Sequence, residues 1–258
     1  MSEADRVYRR WHFSDLTSPA AGAVRDGATP VLLLPVGAVE PHGPHAPLNT
    51  DSIISMALAE ETARALSDDT ALRVFVLPPL HYGVTRYAAG FPGAVSISEE
   101  VLESLVSEVC MALRQQGYAH VIIVNSHFEP EHVAALRRAA ARSHAGLFDL
   151  TRRRMAERLT DEFRSGAAHA GRYETSLVLA TRPESVDVDR MRTLAALPVD
   201  MPQAMANGKH DFISMGMHEA YCGAPAEATV EEGIATLTTL TAMLVEMVRE
   251  RVSAGIRS

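Results

Sequence analysis

The stretch Val31-Leu32-Leu33-Leu34-Pro35-Val36-Gly37-Ala38-Val39-Glu40-Pro41-His42 decides the fold class. Its apolar run, residues 31–39, shows no polar alternation, the pattern of a strand buried on both faces. Strands of that kind belong to parallel sheets. Outward from it, residues 51–66 place Ile54, Ala57, Leu58, Thr62 and Leu66 at helical spacing, with Asp51 or Ser52 as the cap. Residues 74–77 read as a second strand stopped by Pro78 and Pro79. Residues 98–116 read as a helix capped by Ser98 and ended at Gly117, and residues 120–124 as a third strand. A helix over 131–145, a short strand over 147–150 and a closing helix over 230–252 follow. Strands and helices alternating in this order predict a mostly parallel sheet covered by helices on both faces, in one domain over residues 1–258. Residues 82–93, with three glycines, read as a long loop of fixed path that walls or lids a site; residues 198–225 read as irregular.

Charge and cysteine usage exclude several function classes. The 24 basic and 32 acidic side chains give a formal net charge of −8, which repels a polyanion, so nucleic acid is not an expected partner. Cys110 and Cys222 stand far apart with neither disulfide nor Cys-x-x-Cys spacing, which fits a reducing compartment. The first ten residues lack the apolar core of a signal peptide, and no stretch reaches about 18 uninterrupted apolar residues. A cytoplasmic location is expected, with no membrane partner.

In folds of this class ligands bind beyond the carboxyl ends of the strands, and two polar clusters stand at such ends. The first is Glu40-Pro41-His42-Gly43-Pro44-His45, with Asp51 nine residues after His42. Oxygen and nitrogen donors from a proline-fixed loop and a helix start suit Zn2+ or Mn2+. The second is Asn125-Ser126-His127-Phe128-Glu129, where alternate side chains of an extended backbone point the same way. Either cluster alone is more often a polar turn or a helix cap. Paired at one sheet edge they supply Glu40, His42, Asp51, His127 and Glu129, too many for one tetrahedral zinc site. Such a set suits two ions about 3.5 Å apart that share a carboxylate, Asp51, and hold a water deprotonated near neutral pH. The implied reaction is metal-assisted hydrolysis.

A third group is His169-Ala170-Gly171-Arg172-Tyr173-Glu174-Thr175-Ser176. His169 is placed to pass a proton to a leaving nitrogen, and Glu129 shares that candidacy. The competing reading is a helix capped by Glu174 and Ser176 with His169 in a plain loop. Arg152-Arg153-Arg154 reads as a solvated face, and Met201, Met205, Met215 and Met217 as fillers of core gaps or subunit contacts. His210 and His218 share the same irregular region.

Together these segments resemble the creatininase family of metal-dependent amidohydrolases over residues 35–233. The similarity is carried by residues 34–51, Tyr82-Gly83, Phe91-Pro92-Gly93, residues 125–129, residues 169–176 and residues 223–229. The resemblance implies a three-layer α/β/α sandwich, two Zn2+ or Mn2+ ions per subunit and a hexamer built from dimers. It puts Glu40, Asp51 and His127 on one ion and His42, Asp51 and Glu129 on the other. It sets His169 near the scissile bond and Glu174 in the same motif. The implied activity is cleavage of a C–N amide bond in a small molecule, whether cyclic amide, formamide or peptide-like.

The chain departs from that family at Pro41, where glutamine is usual, and at Ser126, Pro130 and Ala168. Its Phe128-Glu129 pair is nearer the creatinine-cleaving branch, yet the tryptophans that close over creatinine are missing after Trp11. Relatives that cleave a formamide on a pyrimidine nucleotide, or trim the precursor peptide of a redox cofactor, fit as well. Phe128, Arg172 and Glu174 are expected to bind substrate or to stand directly behind the ligands, with Arg172 or Arg86 binding an anionic group unless each forms a surface ion pair. The altered positions keep two other readings open: a catalytically silent relative that binds metal and serves in assembly, and a metal-dependent lyase or isomerase.

Overall fold

A computed structural model describes residues 11–255 of the chain. Four strands, β1 (Thr29–Val36), β2 (Leu72–Val76), β3 (His120–Asn125) and β4 (Gly146–Phe148), form one parallel sheet in the order β2-β1-β3-β4. The helices are α1 (Ser18–Asp26), α2 (Thr50–Ala65), α3 (Glu99–Gln115), α4 (Pro130–Ser143), α5 (Arg153–Ala156) and α6 (Asp161–Arg164). They continue with α7 (Arg172–Thr181), α8 (Val188–Arg192), α9 (Met201–Ala206) and α10 (Val230–Gly255).

The unalternated apolar run behaves as its pattern requires, because β1 lies in the middle of the sheet and feeds two separate cores. Leu32, Leu34 and Val36 pack with Leu102, Val106 and Cys110 of α3 and with Leu136 and Ala139 of α4. Val31 and Leu33 point the other way, onto Ile54 and Leu58 of α2, Leu177 of α7, and Leu240 and Leu244 of α10. Leu32, Leu33 and Leu34 are at most 1 % exposed, and burying each contributes roughly 2 kcal/mol. Helices therefore cover both faces, as an α/β/α arrangement demands.

The sheet order also fixes where a site can form. From β1 the chain crosses through α2 to β2 on one side, then through α3 to β3 on the other. Neighbouring crossovers that leave in opposite directions open a crevice between the carboxyl ends of β1 and β3. The register sets Val36 opposite Asn125, so residues 37–51 and 126–129 leave the sheet side by side.

One boundary differs from the sequence reading: β1 stops at Val36, three residues before the apolar run ends. At Ala38 the backbone N–H turns from the sheet to the Asp51 carboxylate, 3.2 Å away. Gly37 abuts the start of α2 so closely that a Cβ there would lie 2.8 Å from the Asp51 Cβ. Val39 then meets only Val95, as an isolated antiparallel bridge. Residues 198–225 are not wholly irregular, since they contain α9. Among the described residues no helix is long and apolar enough to cross a membrane.

Candidate metal centre

Glu40 and His42 leave β1, Asp51 opens α2, His127 follows β3, and His169 and Glu174 flank the start of α7. All six are buried. Their donor atoms fall into three groups, each with its atoms within 4.8 Å of one another: Glu40, Asp51 and His127; His42, Asp51 and Glu174; Glu40, His42 and His169. His127 Nδ1 lies 3.1 Å from Glu40 Oε1 and 3.2 Å from Asp51 Oδ2. His42 Nε2 lies 3.2 Å from Asp51 Oδ1 and 3.6 Å from Glu174 Oε2. Asp51 thus turns one oxygen to each imidazole.

The orientation of the rings shows what this arrangement is built for. A carbonyl oxygen only accepts, so each ring nitrogen that faces one must carry a hydrogen. His42 Nδ1 donates to the Glu40 carbonyl at 3.0 Å, His127 Nε2 to that of Val84 at 2.8 Å, and His169 Nε2 to that of Pro41 at 3.0 Å. In each ring the other nitrogen faces the carboxylates. Fixing one nitrogen on a carbonyl while presenting the other is how metal-binding histidines are oriented. The spacings agree, since two donors each about 2.1 Å from a tetrahedral ion stand about 3.4 Å apart. The residues therefore fit a divalent cation, whose charge would offset three buried carboxylates.

Without a metal, protons take that role. Burial opposes charge on His42, but Asp51, with Glu174 and Glu40 behind it, raises the imidazole to about 10. His127 is likewise burdened by burial yet raised by Glu40 and Asp51. Glu40, despite burial, is held down to about 2 by His127 and His169, and Asp51 is lowered by His42 and His127. Burial pushes Glu174 up to about 8 and His169 down to about 4.

The second grouping exchanges one expected member. Glu129 caps the start of α4, and its carboxylate turns away to accept the backbone N–H groups of Arg86 at 2.9 Å and Tyr87 at 3.1 Å. Glu174 comes beside His42 and Asp51 and lines a cavity of about 520 Å3 as well. Glu129, like Glu40, Asp51, His127 and His169, lines that cavity, and burial raises its carboxyl to about 7. Phe128 lines the same cavity, packed edge-on against Phe163 with ring centroids 5.4 Å apart. Met201 and Met205 of α9 and Phe212 complete an apolar wall, with Phe212 4.5 Å from the His169 ring.

The two arginines expected to bind an anion are elsewhere. Arg172 pairs with Glu227 at 3.3 Å and Glu232 at 3.2 Å, and the side chain of Arg86 pairs with Glu99 at 3.4 Å. Neither lines the cavity, whereas Arg137 and Arg164 do. His210 reaches only the Tyr87 hydroxyl, and His218 is exposed. Sequence reasoning missed Thr85, whose hydroxyl donates to Glu40, and Glu162, whose buried carboxylate accepts from Tyr173 N at 2.6 Å and Ala224 N at 2.7 Å. Neither position carries a periodicity or motif that points to it.

Comparison with known proteins shows what the chain is similar to. The creatininase family model, described as creatinine amidohydrolase, matches residues 14–248. Mycofactocin precursor peptide peptidase of Mycolicibacterium smegmatis is 32 % identical over 207 residues, covering 79 % of this chain and 78 % of that protein. Creatinine amidohydrolase of Pseudomonas putida is 29 % identical over 185 residues, covering 62 % and 68 %. A solved structure described as creatininase Mn superposes with a TM-score of 0.71 at 22 % identity over 93 % of this chain and 98 % of that one. A Zn-Zn type creatininase gives 0.69 at 22 % identity over 93 % and 97 %. At such identities the structural matches speak for the fold alone.

Proposed function

Because the chain belongs to the creatininase family, we propose that it is a metal-dependent amidohydrolase that cleaves a C–N bond in a small peptide-like or formamide substrate. The observation that carries this is the set of three imidazoles, each pinned to a carbonyl through one nitrogen and open to buried carboxylates through the other. Glu40, Asp51 and His127 would hold one ion and His42, Asp51 and Glu174 a second, with Zn2+ or Mn2+ suited to such nitrogen and oxygen donors. When bound, the ions lower the pKa of a water and polarise a carbonyl.

The chain's own residues do the rest. Glu129 faces the cavity with its carboxyl raised to about 7, so it exchanges a proton readily near neutrality. His169 is neutral there, and its Nδ1 is left to take up a proton and hand it to the departing nitrogen. Phe128, Phe163 and Phe212 keep bulk water from the reacting bond. A cavity of about 520 Å3 with apolar walls exceeds the needs of one small ring, and sites of about 300–1,000 Å3 take drug-sized ligands. An extended substrate with an apolar body fits it better than a single heterocycle. Arg137 and Arg164 also line the cavity, but Arg137 is paired with Asp149 at 2.8 Å and Arg164 with Asp161, so an anionic end of such a molecule would have to share them.

The test is metal analysis followed by turnover on lactams, formamides and short peptides with Zn2+ or Mn2+ restored. About two equivalents of metal per chain are expected, and an active chain free of metal would end this reading. Binding is also expected to release protons. His42 and His127 carry theirs at neutral pH in the metal-free chain and must shed them to become ligands, so affinity rises with pH toward about 10. Calorimetry in buffers of different ionisation heat would read that release; none at pH 7 would contradict it. His169→Asn is expected to keep most of its metal while turnover falls about 10²–10⁴-fold. Loss of the metal along with the activity would instead make His169 a ligand.

A further inference from the structure

Residues 83–87 run beside the cluster as a strip whose groups hold three site residues, His127, Glu40 and Glu129. The Val84 carbonyl accepts from His127 Nε2 at 2.8 Å, the Thr85 hydroxyl donates to Glu40, and the Arg86 and Tyr87 amides donate to Glu129. The strip is irregular in structure, so its position must be set by something outside it. Ser96 Oγ takes the Thr85 N–H at 3.0 Å and the Gly83 carbonyl accepts from Ile97 N at 3.0 Å, while His132, on α4 and wholly buried, takes the Val84 N–H.

Both ring nitrogens of His132 are committed. Nδ1 accepts the Val84 N–H at 3.2 Å, and Nε2 donates to Asn125 Oδ1 at 3.0 Å. Asn125 Oδ1 also accepts the backbone N–H of His127 at 3.2 Å, and Asn125 Nδ2 donates to the His127 carbonyl at 2.6 Å. A closed ring of hydrogen bonds results, from Val84 through His132 and Asn125 to His127 and back to Val84. The His132 ring stands edge-on to that of His127, centroids 4.7 Å apart. A Cβ at position 83 would lie 2.5 Å from His132 Nδ1, so glycine is what allows the strip to approach.

We propose that His132 is the positioning residue of the metal centre: it locks residues 83–87 in place and thereby aims His127 Nδ1 at Glu40 and Asp51. This rests on the metal-dependent reading above. His132 binds no metal itself, because neither of its nitrogens is available. Its work requires an acceptor and a donor on opposite sides of one flat group, which a glutamine amide mimics and a methionine side chain does not.

The experiment compares the full-length parent with His132→Met and His132→Gln, measuring Zn2+ and Mn2+ dissociation constants by chelator competition and the melting temperature after metal is stripped. The Met variant is expected to bind metal about 10–100-fold more weakly, the usual effect of losing a residue that orients a ligand, and the Gln variant to recover most of that loss. Parental dissociation constants in a folded Met variant, with only the stripped melting temperature lowered, would overturn the proposal and leave His132 a packing residue. Should the Met variant not fold, amide exchange in the stripped parent decides. A protected Val84 N–H supports the lock, and exchange at the rate of an open loop refutes it. A parent that binds neither metal would remove the amidohydrolase reading and this proposal together, whereas a parent that binds while the Met variant binds equally removes this proposal alone.

Discussion

Asp51→Ala is expected to bind less than half the parental metal and to lose at least about 10³-fold in turnover, roughly 4 kcal/mol of transition-state stabilisation. No other residue of the cluster sits in both proposed ligand groups that hold the ions. Oδ1 lies 3.2 Å from His42 Nε2 and Oδ2 3.2 Å from His127 Nδ1, so removing the side chain deprives both positions at once. The Ala38 N–H loses its acceptor as well, and with it the contact that turns the chain off β1 toward Glu40. In the stripped protein the same change leaves two buried imidazolium groups short of a carboxylate, and breaking such a pair costs about 3–5 kcal/mol. That part of the stability is present at neutral pH and fades as pH rises toward about 10, where His42 would give up its proton in any case. Elemental analysis and stripped-state melting curves at two pH values separate the metal effect from the folding effect. A variant that keeps two equivalents of metal and its turnover would remove Asp51 from the centre.

What the sequence made legible, and what it did not, follows from the range of the forces involved. Residues 31–39 announce a strand buried on both faces because burial leaves its mark residue by residue, and β1 packs alternate side chains into two cores. Glu40, His42, Asp51 and His127 were legible because strand ends and a helix start place them with no long-range information. The directions in which the Glu129 and Glu174 carboxylates turn were not legible, for the opposite reason. Which of two carboxylates turns to His42 depends on the Arg86 and Tyr87 amides, forty residues away, that capture the first. Arg172 looked like an anion site beside a motif, but Glu227 and Glu232, brought by the chain's closing segment, consume it. His132 gave no sign at all, since a buried histidine with both nitrogens satisfied reads in sequence like any other residue on a helix.

A large effect on stability is also expected from a position with no chemistry of its own. Gly233 lies in the first turns of α10 where that helix crosses α7, and a Cβ there would fall 1.9 Å from the Ser176 carbonyl oxygen and 2.7 Å from the Ala180 Cβ. The obstacle is helix backbone, which cannot swing aside as a side chain can, so the two helices must separate. Overpacking costs about 1–3 kcal/mol and sometimes more; at the upper end, Gly233→Ala lowers the melting temperature by about 6–12 °C in a domain of this size. Gly22 on α1 is the control. Nothing lies within 4 Å of a Cβ there, and alanine stabilises a helix interior over glycine by roughly 0.5–1 kcal/mol. The damage at Gly233 is also expected to be uneven in function. The Ser176 hydroxyl accepts from Thr229 N at 3.1 Å, so the same contact ties the start of α10 to the helix that carries Glu174. Glu40 and His127 follow β1 and β3 and Asp51 opens α2, so of the proposed ligands Glu174 alone stands on α7. Shifting α7 should therefore loosen the ion beside His42 and Glu174 first, taking the metal content from two toward one before the affinity for the remaining ion changes. A Gly233→Ala protein that melts within a degree or two of the parent would show that α7 and α10 have slack that their spacing denies.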